Sequence, residues 1–166
     1  FSGEEIFRQM QTMSENESKH LLTSNSIGGL LTVSFVLAII PAVVEEFFFR
    51  GVVQNYFNEL CKNSILAIIL TSVFFSLMHF EIFSFLPRFV LSCFLGYLFI
   101  ATKNLIIPII CHFINNFGVC LLYFLNSKGI ITAQNSESFS QTPILIISSI
   151  VILIFIIGFE IKKAKH

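Results

Sequence analysis

The stretch PAVVEEFFFRG, residues 41–51, places three ionisable side chains in one of the most apolar parts of the chain. The run before it, residues 27–44, has no ionisable side chain, and three phenylalanines follow the two glutamates directly. A charged side chain at bilayer depth costs about 3 kcal/mol or more, so such residues are functional candidates by default. Glu45, Glu46 and Arg50 are therefore the first candidate site residues.

The composition indicates that lipid is the main solvent of this chain. Its 166 residues are 55% hydrophobic and only 12% charged, with a mean hydropathy of +0.84. A soluble domain of this length could not bury so much apolar surface. The formal net charge of zero gives no sign of a nucleic-acid partner. We therefore expect the chain to be surrounded by a lipid bilayer and to bind no nucleic acid.

Five apolar segments follow a polar lead-in and are separated by short polar stretches. A helix needs about 20 residues to cross the hydrocarbon core. Helices are favoured over open strands because a helix satisfies its own backbone hydrogen bonds in lipid. The sequence predicts an all-α, polytopic membrane helix bundle, an integral multi-pass protein. The five segments are residues 27–44, 65–80, 82–101, 105–125 and 143–159.

The chain divides into a polar lead-in at residues 1–26, a membrane core at residues 27–160 and a basic tail at residues 161–166. Its first residue is Phe rather than Met, so we expect a fragment of a longer chain.

Helix geometry separates the two adjacent glutamates. Glu46 and Arg50 are four residues apart and therefore share one helix face, where they can pair. Glu45 is turned about 100° away and has no counter-ion nearby in the sequence. A carboxylate in an apolar site without a counter-ion holds protons more tightly, which suits a general base. Glu45 is the candidate base and Glu46 the candidate structural partner.

Two other apolar segments contribute further polar groups. His79 lies near the end of TSVFFSLMHF, residues 71–80, while His112 and Asn116 lie four apart and share a helix face. Pro108, one turn before His112, is expected to bend that helix toward a cavity. Three helices could therefore direct a carboxylate, two imidazoles and an amide to a common point.

Each of these polar residues also has a purely structural explanation that involves no catalysis. The glutamates could mark the lipid–water boundary, with Arg50 reaching to headgroups. A single histidine or asparagine in a membrane helix often forms only a hydrogen bond between helices. The conjunction of three polar sites in one short chain favours a functional site.

The three sites together resemble the motifs of the CPBP intramembrane proteases. This family includes the type II CAAX prenyl endopeptidases and the bacterial bacteriocin-processing, or Abi, proteins. Its motifs EExxxR, FxxxH and HxxxN occur here in the family's order, and the resemblance covers about residues 27–125. The matching stretches are EEFFFRG at residues 45–51, FSLMH at residues 75–79 and HFINN at residues 112–116.

The resemblance implies that residues 27–160 form a membrane endopeptidase core that cuts a peptide bond near the membrane surface. Glu45 and His79 would hold and activate the attacking water. Glu46 and Arg50 would brace the helix and the charge of the site. The residues expected to stabilise the tetrahedral oxyanion, a task that suits an amide donor, are His112 and Asn116.

The resemblance leaves the metal open. Members of the family are commonly called metalloproteases, and Glu45, His79 and His112 would be acceptable zinc ligands. However, the sequence has no HExxH, and a Glu45 that acts as the base is not free to be a ligand. A metal-free glutamate protease therefore stands beside a zinc protease.

Relatives usually have additional membrane helices before EExxxR, so this chain is expected to lack N-terminal helices. Its Ile, Phe, Asn and Ser bias indicates a low-GC bacterium and hence the bacterial cell membrane. A leader peptide, a bacteriocin or a membrane-tethered peptide is then a more plausible substrate than a prenylated protein. The sequence gives no indication of oligomeric state.

Three other functions remain open at this stage. The first is a catalytically silent immunity or scaffold protein that binds a partner through its helices. The second is a haem protein with His79 and His112 as axial ligands. The third is a transporter that uses Glu45 as a proton relay.

Overall fold

The computed structural model describes residues 26–80 and 84–130, which form a bundle of four helices. No strand occurs within these two ranges, so the predicted all-α class is confirmed. The predicted apolar segment 143–159, most of the lead-in 1–26 and the tail 161–166 lie outside the described residues. The helices are α1 (Ile27–Cys61), α2 (Ser64–Leu77), α3 (Phe85–Thr102) and α4 (Ile106–Ser127).

Helices α3 and α4 begin and end within a few residues of the predicted segments, but α1 is much longer than the apolar run 27–44. It continues through the glutamates and Arg50 because nothing in residues 45–61 breaks a helix. It ends where Lys62 adopts a left-handed conformation with φ 53°, and the side chain of Asn63 caps the start of α2.

Two π-helical turns interrupt α1. The first spans Phe35–Ile39 and ends two residues before Pro41, in the middle of the helix. A proline there lacks a backbone donor and clashes with the preceding turn. The wider turn, in which the N–H of Ile40 bonds to the carbonyl of Phe35, accommodates it. The second turn, Phe47–Val53, contains Arg50.

Three of the four helices are long and apolar enough to cross a membrane, namely α1, α3 and α4. Helix α2 has 14 residues and is therefore about 21 Å long, shorter than a hydrocarbon core of about 30 Å. It ends at a turn in which Phe80 has a φ of 52°. Non-helical backbone at membrane depth is tolerated where it is covered by protein or lines a cavity.

The bundle is apolar outside and partly polar inside, as expected for an integral membrane protein. Large apolar side chains lie exposed along α1, among them Ile27, Val44 and Phe47. One small apolar cluster joins α1 to α4 around Ala38 and Cys120. A second apolar cluster, around Leu91, Leu95 and Leu98, joins α3 to α4. Many of the other buried positions are polar or charged, and they include Glu46, Arg50, Gln54, Thr71, Ser72, Ser76 and Ser92.

The packing order brings the candidate residues to one height in the bundle. Glu45 lies sixteen residues before the end of α1, and His79 lies fifteen residues after the start of α2, which returns against α1. Equal rises per residue therefore place them at similar depth. Helix α2 packs on α3, and α4 packs on both α3 and the first half of α1. His112 reaches the same level from α4.

Gly96 allows α3 to approach α1 and α2 closely. A Cβ atom at this position would lie 2.8 Å from Oε1 of Gln54 and 3.3 Å from Cγ2 of Ile68. Both neighbours are held in the bundle, and the amide of Gln54 also donates to the carbonyl oxygen of Gly96 at 3.1 Å. The missing side chain is what makes this hydrogen bond possible.

We expect Gly96→Val to lower the free energy of unfolding by about 1–3 kcal/mol through overpacking. Gly28→Val is the matched control, because a Cβ at Gly28 would meet nothing within 4 Å and both positions are helical. Thermal unfolding of both variants in detergent measures the difference. Equal stability of the two variants would contradict the close approach.

Candidate active site

The most buried charges of the bundle are a pair on one face of α1. Nη1 of Arg50 donates to Oε1 of Glu46 at 2.6 Å, and both side chains are fully buried. The predicted pairing across one helical turn is confirmed. Because water is excluded there, separating the two charges would leave each without its main compensation.

Arg50 has further partners on the neighbouring helices. Its Nη2 donates both to the carbonyl oxygen and to the Oγ of Ser92 on α3, each at 3.0 Å. The guanidinium carbon lies 5.3 Å from the ring centroid of Phe75 on α2, a favourable cation–π distance. Arg50, which lies on α1, therefore links this helix to α2 and α3.

Glu46 also holds a histidine from α4. Nδ1 of His112 lies 2.8 Å from the same Oε1 that receives Arg50. Because a carboxylate oxygen accepts, Nδ1 carries the proton of this contact. Nε2 of His112 lies 3.8 Å from Oε2 of Glu45.

His79 does not lie in a helix, contrary to the prediction that a third helix supplies it. Helix α2 ends at Leu77, because the left-handed Phe80 stops the chain from continuing, and His79 occupies the turn between them. Its Nδ1 donates to the carbonyl oxygen of Phe75 at 2.8 Å. Nε2 of His79 lies 4.0 Å from Oε2 of Glu45.

The structure thus brings Glu45, His79 and His112 together. Both imidazoles have their Nδ1 occupied by an acceptor and direct Nε2 toward one carboxylate oxygen. The side chains of Glu45 and His79 are 27% and 29% exposed, whereas that of His112 is 4% exposed. The site is therefore open on the side of Glu45 and closed on the side of Glu46.

Asn116 lies one helical turn beyond His112 and is half-buried. Its Oδ1 accepts from Nδ2 of Asn115 at 3.3 Å, which leaves its own amide N–H groups for other acceptors. Pro108 lies in the first turn of α4, where its missing donor breaks no helical hydrogen bond. The predicted bend toward a cavity therefore has no cause at this proline.

The two Nε2 atoms and the Glu45 carboxylate are suitable zinc donors by type, and the partners on Nδ1 are those that metal-bound imidazoles favour. Within residues 26–80 and 84–130, however, no group of three or more His, Cys, Asp or Glu is arranged so that it could hold a metal ion. The residues match zinc in chemistry and not in arrangement. The steps considered below therefore use side chains alone.

Three features of the site were missed by reasoning from the sequence. These are the contact of Glu46 with His112, the backbone anchor of His79 and the two contacts of Arg50 with Ser92. Only the last has a signal in the sequence, since Ser92 and Gly96 have the spacing of small residues at which membrane helices approach closely.

Comparisons with known proteins identify a matching family and a relative. Residues 27–118 match the family described as type II CAAX prenyl endopeptidase Rce1-like. The membrane-embedded CAAX protease MroQ of Staphylococcus aureus (strain USA300) is 30% identical over 135 residues, which are 78% of this chain and 53% of the relative. The chain therefore spans about half the length of this curated relative. No solved structure shows a significant match.

We expect Arg50→Met to reduce the free energy of unfolding by about 3–5 kcal/mol, because it leaves the buried Glu46 carboxylate without its cation. The double variant Glu46→Gln/Arg50→Met should recover most of the loss. Glu45→Gln is the matched control and should change stability little, since that carboxylate is partly exposed and its contacts are long.

Denaturation by sodium dodecyl sulfate in mixed micelles gives the three free energies. A loss in the double variant as large as in Arg50→Met would show that the arginine stabilises the bundle by packing and not by charge.

Proposed function

Because the chain belongs to the Rce1-like family of type II CAAX prenyl endopeptidases, we propose that it is an intramembrane endopeptidase with Glu45 as its general base. One observation supports this above the others: Nε2 of His79 and Nε2 of His112 face the same oxygen of Glu45. The substrate is a peptide bond in a membrane-associated or leader-type peptide.

The distances suit a shared water molecule. Separations of 3.8 and 4.0 Å are too long for direct hydrogen bonds, but one water about 2.8 Å from each atom spans them. Such a water donates one proton to Oε2 of Glu45 and lies against the lone pair of an imidazole. It is thereby oriented for attack by its own lone pair.

Hydrolysis then needs only proton transfers and one attack. Glu45 removes a proton from the water as the water oxygen bonds to the scissile carbonyl carbon, and the carbonyl π electrons move to the oxygen. The protonated Glu45 next gives that proton to the leaving nitrogen while the carbon–nitrogen bond breaks. The products are a carboxylic acid and an amine, and Glu45 returns to its ionised state.

The tetrahedral oxyanion requires donors on the side of α4. Asn116 can supply its amide N–H groups, because its oxygen is already occupied by Asn115. His112 can donate from Nε2 when both ring nitrogens carry a proton, the second proton being taken from solvent before the attack, while His79 supplies the lone pair that faces the water. A donor placed in this way typically contributes a factor of about 10²–10³ to the rate.

Glu46 and Arg50 act as a brace in this mechanism. Glu46 receives both Arg50 and His112 on one oxygen, so the ion pair fixes the imidazole ring relative to Glu45. The low accessibility of all three groups favours a fixed geometry, which catalysis by orientation requires.

The exposure of Glu45 and His79 supports a substrate that reaches the site from the side of the α2 turn. The bacterial relative is named a CAAX protease. For this chain we propose a leader peptide, bacteriocin or membrane-tethered peptide in a bacterial cell membrane, since the composition indicates a low-GC bacterium.

We expect Glu45→Gln to reduce kcat/KM by a factor of about 10²–10⁴, because it removes the base. Glu59→Gln, the same substitution at an exposed position on α1, should cleave like the wild type. His79→Ala should lose activity to a comparable degree. A quenched-fluorescent library of amphipathic leader-type peptides, presented to the protein in lipid nanodiscs, provides the measurement.

Full cleavage by Glu45→Gln and His79→Ala would end the assignment of the protease site to these residues. A folded wild type that binds a peptide of the library and never cuts it would instead favour the non-catalytic scaffold. A strong Soret absorbance of the purified protein would favour the haem alternative.

We expect cleavage to persist after prolonged dialysis against a zinc chelator, since the described donors are not arranged around a metal. The rate is measured before dialysis, after it and after addition of zinc, with elemental analysis of each sample. Loss of activity that zinc restores would assign the reaction to a metal-bound water and not to Glu45 with the imidazoles alone.

A further inference from the structure

We propose that Ser92 on α3 is a positioning residue for the reaction, acting through Arg50 and Glu46 on His112. The inference rests on the proposed function, since its effect is on the rate of hydrolysis. No family motif found in the sequence includes α3, yet this helix supplies the outermost link of the buried polar chain.

The contacts of Arg50 define this role. Nη1 is directed to Glu46 and Nη2 to Ser92, so the guanidinium is fixed at both ends of its fork. Ser92 is 1% exposed and its Oγ accepts at 3.0 Å. Because both Arg50 and Ser92 are shielded from water, no solvent molecule can replace the Ser92 hydroxyl as the partner of the arginine.

Helix α3 is itself held in register at this height. One turn beyond Ser92, the carbonyl oxygen of Gly96 accepts from Nε2 of Gln54, which lies one turn beyond Arg50 on α1. Both contacts join residues 42 apart, so α1 and α3 run side by side with matched turns. Ser92 therefore has a defined position from which to hold the arginine.

The chain of contacts ends at the reactive centre. Ser92 orients Arg50, Arg50 bonds to Oε1 of Glu46, and the same oxygen accepts from Nδ1 of His112. Nε2 of His112 then faces Glu45. Because Ser92 reaches His112 only through two other side chains, it positions the site without contacting the substrate.

The test compares three variants in the nanodisc cleavage assay. Ser92→Ala removes the hydroxyl and keeps the backbone acceptor, so the bundle should still fold. We expect kcat to fall about tenfold with KM unchanged. Ser92→Thr retains a hydroxyl and should recover most of the rate. Ser76→Ala is the matched control, since its buried Oγ has no hydrogen-bond partner within the described residues.

A double-variant cycle identifies the route of the effect. In a Glu46→Gln background, Ser92→Ala should cause little further loss, because the link it supports is already weakened. Additive losses would overturn the proposed route. Unchanged kcat in Ser92→Ala, or a loss that Ser92→Thr does not reverse and that follows the unfolding midpoint, would overturn the positioning role.

A spectroscopic measurement is independent of turnover. In ¹⁵N-arginine spectra of the full chain, which has three arginines, Arg50→Lys identifies the signals of Arg50. We expect separate Nη1 and Nη2 resonances in the wild type and exchange-broadened ones in Ser92→Ala. Separate resonances in both proteins would contradict the link.

The two proposals fail in distinguishable ways. An active wild type with an inactive Glu45→Gln variant upholds the protease whatever Ser92→Ala does. A wild type that does not cleave any peptide would contradict both the proposed protease function and the positioning role of Ser92.

Discussion

The bundle depends on a fully buried ion pair inside a protein whose outside is lipid. Arg50 and Glu46 are both inaccessible, and apart from each other their partners come from the other three helices. In a membrane such a pair is costly unless neighbouring groups compensate its charges. Ser92, Phe75 and His112 supply much of that compensation, so the pair constrains how α2, α3 and α4 meet α1. Oε2 of Glu46 and Nε of Arg50 have no hydrogen-bond partner within the described residues.

The same constraint places the two adjacent glutamates in different environments. Glu46 has its oxygen occupied by two cationic or donating groups, while Glu45 has only long contacts and partial access to solvent. A helix turn of about 100° between neighbours is sufficient to produce this difference. The π turn at Phe47–Val53 begins directly after them, and π turns occur frequently at functional sites.

Much of this was predictable from spacing alone. The pairing of Glu46 with Arg50 and the all-helical class follow from local periodicity, which the sequence displays directly. The contact between Glu46 and His112 spans 66 residues, and no pattern in the sequence indicates which imidazole nitrogen meets which carboxylate. The sequence predicts a helix through His79 because its segment is apolar up to Phe80, whereas the backbone turns earlier. That turn depends on tertiary packing and not on composition.

The short α2 has a consequence for the membrane itself. Its hydrophobic length falls roughly 9 Å below that of a full hydrocarbon core, a mismatch that lipids relieve by thinning next to the protein. Thinning of this kind would bring the headgroup layer toward the end of α2, where His79 lies. For the peptide substrate proposed above, such thinning would lower the acyl-chain barrier beside the partly exposed Glu45 and His79.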